Sequence, residues 1–148
     1  MFKRILVATD GSALSELAIS KAIALAKLSG AELVALTVAH LEPHSYFEGA
    51  TVFSQREVDE AHHRSVAAAH TLVDTVKAGA LAQGVVSAQA VVAKSNMVAE
   101  SIVEAAKSHD CDLIVMASHG RRSITRLLMG SETLHVLTQS HTPVLVLR

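Results

Sequence analysis

"RILVATDGS", residues 4–12, decides how the rest of the chain is read. Ile5 to Ala8 are apolar without alternation, as in a strand covered on both faces. Thr9 and Asp10 then turn the chain, and Gly11 and Ser12 can open a helix. Strand, polar turn and helix start together make the first half of a βα unit, and the pattern continues downstream. Leu14, Leu17, Ala18, Ala22, Leu25 and Leu28 recur at helical spacing from Ala13 to about Leu28, and Gly30 supplies a stop. Glu32 to Ala39 form a second strand, followed by an irregular connection, "HLEPHSYFEGATVFSQ", that carries Pro43 and Gly49. Connections of that length are often functional.

Beyond this connection, Val58, Ala61, Ser65, Ala69, Leu72, Val76 and Ala80 mark one face of a helix from about Arg56 to Gln83, ended by Gly84. Val85 to Ala93 read as the third strand. Met97 to His109 form a helix with Val98, Ile102, Ala105 and Ala106 on one face, and Asp112 to Ala117 are the fourth strand. A helix near Glu132 to Thr138 precedes a fifth strand, "PVLVLR". Five apolar strands alternating with helices predict an α/β fold: a single doubly wound five-stranded parallel sheet with helices on both faces. No repeat or linker justifies a boundary, so residues 1–148 are expected to form one domain.

Composition narrows the function. The net charge of −1 provides no global basic field, and aromatic residues make up 3% with no Trp, so stacking platforms for nucleic acid are not expected. Cys111 is the only cysteine, which excludes an internal disulfide or a multi-thiolate zinc site and fits a reducing cytoplasm. Between Arg4 and Asp10 the uncharged stretch is five residues long, too short for a membrane span or a signal-peptide core. A cytoplasmic protein without a membrane partner is expected.

Right-handed crossovers make such a chain wind outward one way, then return and wind the other. If the reversal follows the third strand, the first and fourth become neighbours, and ligands of open α/β sheets bind beyond the carboxyl ends of strands at that point. Thr9-Asp10-Gly11-Ser12 and Ser118-His119-Gly120 would meet there. The second segment opens "SHGRRSITRLLMGS", in which nine residues separate Gly120 from Gly130. Phosphate recognition needs backbone N–H groups in a loop of small residues, beside a helix N-terminus whose dipole favours an anion. Gly120, Gly130 and Ser131 meet that need, and Arg121, Arg122 and Arg126 can add charge. The same residues also suit a plain loop, with Ser131 as helix cap and a solvated basic face. Neither G-x-x-x-x-G-K-[ST] nor G-x-G-x-x-G is present.

Taken in order, "ILVATDGS", "DLIVMASHGR" and "GSETLHVLTQSHTPVLVLR" resemble the universal stress proteins over the whole chain. ATP-binding members carry G-x2-G-x9-G-[ST] after the fourth strand; here Gly120, Gly130 and Ser131 match, and Ala117 stands in place of the first glycine. The resemblance implies an adenine nucleotide alpha hydrolase-like fold and an ATP site, with Mg or Mn accompanying the nucleotide. By it, Ala8, Thr9 and Asp10 support adenine and ribose, with Asp10 as the ribose- or metal-linked acid, and Val38 contacts the base. Met116, Ala117, His119, Gly120, Arg121, Arg122, Ser123, Gly130, Ser131, Glu132 and Thr133 surround the phosphates. An alanine at 117 can be tolerated if its backbone is ordinary β; binding weakens if it needs positive φ or must touch a phosphate. Glu132 brings negative charge close to the phosphates.

The strand Pro143 to Arg148 is expected at a sheet edge, where exposed apolar residues invite pairing, and similar family members dimerise there. A homodimer with an unknown protein partner follows. Asp10 and His119 could serve as an acid–base pair, but no dedicated base or G-x-S-x-G elbow stands out, leaving at most slow ATP hydrolysis. A dimeric interaction module without nucleotide is the other alternative. His62, His63 and His70 lack ligand spacing, Pro43 undermines a pair at His40 and His44, and no metal site is assigned. Cys111 is read as a small buried residue.

Overall fold

The structure is a computed structural model that describes residues 1–41, 54–120 and 129–148. Its elements are β1 (Arg4–Ala8), α1 (Ala13–Ser29), β2 (Glu32–Ala39), α2 (Gln55–Ala82), β3 (Ala88–Lys94), α3 (Val98–Ser108), β4 (Leu113–Ala117), α4 (Ser131–Gln139) and β5 (Val144–Leu147). The strands form one parallel sheet in the order β3-β2-β1-β4-β5. The winding reverses where the sequence placed it, between β1 and β4.

Alternate residues of each strand enter two separate cores. Ile5 and Val7, with Leu33, Ala35, Leu113 and Val115, pack against α1 and α2, while Leu6, Val34, Leu36, Ile114 and Met116 pack against α3 and α4. Ile5, Leu6 and Val7 are all fully buried because β1 is central and covered on both faces. Each such side chain contributes roughly 1.5–3 kcal/mol through burial.

Ser12 caps α1 by accepting from the Ser15 amide at 3.3 Å, and Gly30 ends it at φ 68° while its N–H bonds the Ala26 carbonyl. The buried face of α1 is not the expected stripe. Ala18, Ile19, Ala22, Ile23 and Ala26 face the sheet, whereas Leu17 and Leu28 are 39% and 80% exposed. Apolar residues occupy nearly every side of this helix, so spacing admits several faces, and the alanine-lined one allows the closest approach to the sheet.

β3 begins at Ala88, three residues later than expected from a start at Val85. After Gly84 at φ 94°, the Val85 amide bonds the Ala80 carbonyl at 3.1 Å, so Val85 closes the end of α2 and drops its side chain into the core. Most other boundaries agree within one or two residues, as helix and strand ends usually do. The connection after β2 lies mostly outside the described residues. Among the described residues, no helix is long and apolar enough to cross a membrane.

The N-terminal ends of the strands are closed by polar bonds. Arg4 pairs with Glu32 at 2.6 Å and donates through Nη1 to the His109 carbonyl at 2.8 Å, while Asp112 accepts from the Lys3 and Arg4 amides at 2.8 and 3.1 Å. Cys111 lies beside this network, and burial pushes its thiol up to about 11.

Candidate functional site

At the opposite, carboxyl ends of the strands lies a cleft of about 1270 Å³, bounded by the turn after β1, the end of β2, the first half of α2 and the α4 start. Every described member of the expected site set, from Ala8 to Thr133, lines it. Arg121, Arg122 and Ser123 fall outside the described residues.

Side-chain bonds fix the turn after β1. Thr9 donates its amide to the Leu36 carbonyl at 2.9 Å, pairs its hydroxyl with Ser15 Oγ at 2.9 Å and accepts from the Gly11 amide at 3.2 Å. Thr37 donates to the Thr9 carbonyl at 2.9 Å. Gly11 adopts φ 76°, a left-handed conformation that favours glycine, and Asp10 Oδ1 accepts from the Ser12 amide at 3.0 Å. Its other carboxylate oxygen reaches across to the β4 loop. A Cβ on Gly120 would stand 2.5 Å from Asp10 Oδ2, so the glycine leaves room for the Asp10 carboxylate in this position.

Ala117 ends β4 in register with Leu147, and its backbone is ordinary strand, because Asp110 is the sole non-glycine residue with positive φ among those described. Alanine is therefore compatible with the backbone at 117. Its carbonyl accepts from Thr133 Oγ1 at 3.0 Å; the Ser118 carbonyl accepts from the same hydroxyl at 3.1 Å and from the Gly130 amide at 2.7 Å. Thr133 is thus a buried latch between α4 and β4. A Cβ on Gly130 would meet the His119 Cα and the Ser118 carbonyl oxygen at 3.3 Å, a close approach that brings the α4 start onto the loop.

Gly130, rather than Ser131, is the N-cap of α4, and among the described residues no side chain caps the helix. Its first-turn amides therefore open on the cleft beside Ser131, Glu132 and Thr133, with the positive end of the helix dipole behind them. The negative charge of Glu132 is turned elsewhere: Oε2 accepts from the Ala99 amide at 3.1 Å, capping α3, whose own N-cap residue Met97 makes no side-chain bond. His119 lines the cleft with Nδ1 3.2 Å from Ser118 Oγ. No Lys or Arg lines the cleft among the described residues, so an anion there meets backbone amides and the helix dipole.

The sequence missed one wall. Ala61, Ser65 and Leu72, three of the residues read as one face of α2, line the cleft with His62 and Ala68, while burial begins with Ala69 and continues through Val73, Val76 and Ala80. The available signal was bulk: small residues dominate the first half of that face and valines the second. Val98 and Ile102 of α3 complete the lining. Among the described residues no group of three or more His, Cys, Asp or Glu could hold a metal.

A family model described as the universal stress protein family matches residues 1–148. A universal stress protein of Thermus aquaticus is 34% identical over 148 residues, covering 100% of both chains. The structure of universal stress protein UspA from Lactobacillus plantarum superposes with a TM-score of 0.82 at 24% identity, covering 99% of this chain and 97% of that one. A universal stress protein solved in complex with cAMP gives a TM-score of 0.68 at 26% identity, covering 99% and 97%.

Proposed function

The chain belongs to the universal stress protein family, and we propose that its cleft holds an adenine nucleotide, ATP foremost, as a regulatory ligand. The observation that carries this is that the α4 N-terminus, which no described side chain caps, opens on the same cleft as Asp10 and Gly120. Phosphates rest on the amides of Ser131 to Thr133, Asp10 takes the ribose or a phosphate-bound Mg or Mn, and Val38 meets the base. The ordinary strand backbone at Ala117 and the diversion of Glu132 to α3 both favour this arrangement. Arg121, Arg122, Ser123 and His119 complete the phosphate end. The cAMP complex of the relative supports the adenine class.

In this reading residues 1–148 act as one cytoplasmic domain. β5 at the sheet edge, with Leu145 39% exposed, supports pairing with a second copy, and nucleotide occupancy changes contact with a protein partner. Isothermal titration with ATP and Mg²⁺ tests the site: saturable heat with one nucleotide per chain is expected, and no heat at millimolar ATP overturns it. A turnover assay on the same sample is expected to give slow hydrolysis or none.

A further inference from the structure

Of the three residues in the first turn of α4, Ser131, Glu132 and Thr133, one carries a charge of the same sign as the phosphates that its turn would receive. An acidic side chain in the first turn of a helix is favoured by the same dipole that favours an anionic ligand, so the two compete for one field. Glu132 is also tethered. Its Oε2 accepts from the Ala99 amide at 3.1 Å, in the first turn of α3, where Met97 offers no side-chain bond and Ala99 is fully buried. A buried amide left without an acceptor is costly, so this bond keeps the carboxylate between two helix starts. Val98 and Ile102 of α3 line the cleft with it. The tether turns the carboxylate from the α4 amides without taking its charge out of range. At physiological salt a charge is felt over about 8 Å, further than a glutamate side chain reaches from its own backbone amide. The other lining residues do not offset it. Among the described residues, Asp10 and Glu16 add acidic side chains, His40, His62 and His119 are the remaining titratable groups, and Lys and Arg are absent.

We propose that Glu132 grades the nucleotides the cleft accepts by their phosphate charge, disfavouring metal-free ATP most, and AMP and Mg²⁺-bound ATP less. The assignment rests on the adenine-nucleotide reading of the cleft. The penalty scales with the charge brought to α4, and a cation on the phosphates cancels part of that charge before Glu132 is met. Glu132 is exposed, so solvent screens its charge and keeps the effect modest. Its bond to Ala99 is separable from its charge, because glutamine keeps an oxygen that accepts from the amide and is neutral. Cap and charge then act in opposite directions: losing the cap lowers stability, and losing the charge tightens metal-free ATP.

Titration of wild type, Glu132→Gln and Glu132→Ala with ATP in EDTA, AMP in EDTA and ATP with Mg²⁺, alongside melting of the ligand-free proteins, tests this. Glu132→Gln is expected to bind metal-free ATP about fivefold more tightly than wild type, with AMP and Mg²⁺-bound ATP within about twofold and melting unchanged. The gain is expected to shrink at high salt. Glu132→Ala is expected to show the same gain with lowered melting, because the Ala99 amide loses its acceptor. Metal-free ATP binding that is unchanged or weaker in Glu132→Gln makes Glu132 a cap of α3 alone and overturns the assignment while the nucleotide site stands. An equal gain for all three ligands, or one that salt does not reduce, also overturns it, since a charge effect follows the charge of the ligand. Wild type and variants that bind none of the three ligands overturn the site and the role of Glu132 together.

Discussion

The two ends of the sheet are built from the same strands and treated in opposite ways. At the N-terminal ends, Arg4, Glu32 and Asp112 bond side chains and backbone across β1, β2 and the start of β4. At the carboxyl ends, α4 begins with no side-chain cap among the described residues, and a cleft remains open. One end commits its polar groups to closing the fold; the other bonds its β1 turn and the Thr133 latch but leaves the first-turn amides of α4 facing a cleft. Stability and binding are therefore expected to respond to substitutions at different ends.

Thr133 is the strongest exception, because it holds the open end together. Thr133→Val removes a buried hydroxyl from the Ala117 and Ser118 carbonyls and is expected to cost about 2 kcal/mol, measured by denaturant unfolding, together with nucleotide affinity. A change in binding with unaltered stability would make the hydroxyl a ligand group instead of a latch. Gly120→Ala sharpens the contrast. The new methyl displaces the Asp10 carboxylate, and ATP affinity is expected to fall about tenfold in calorimetry with little change in melting.

Asp112→Ala is the mirror experiment. It strips an acceptor from the Lys3 and Arg4 amides and is expected to cost about 1 kcal/mol in unfolding, while ATP affinity stays within error. The smallest effect is expected at the α2 start. Bonds from the Ser54 backbone N–H and hydroxyl hold the Glu57 carboxyl below its ordinary 4.5, so its contribution is present above that pH and is lost as pH falls through the lowered value. Amide exchange in the first turn of α2 should quicken over that window in wild type, and Glu57→Gln should flatten the dependence.

How much of this was legible in the sequence follows from what each residue has to do. β1 and β4 were readable because strands covered on both faces have to be apolar throughout, and they became neighbours under the crossover rule once the reversal was taken to follow the third strand. The cleft was readable where a residue type answers a local requirement, as at Gly11 with its positive φ and at Gly120 beside the Asp10 carboxylate. Its α2 wall was not, because Ala61 and Ser65 repeat at helical spacing whether they face a core or a cavity. The partners of Glu132 and the choice of Gly130 as cap were equally hidden. Each depends on how α4 docks against α3 and β4, a tertiary contact with no local pattern.

Titration of ¹⁵N-labelled protein with ATP and Mg²⁺, followed amide by amide, tests the division between the two ends most directly. The expected result is that shifts concentrate at Gly130 to Thr133 and at Thr9 to Gly11, while Lys3, Arg4 and Asp112 stay still. Shifts confined to the N-terminal ends of the strands, or none at saturating nucleotide, would contradict it.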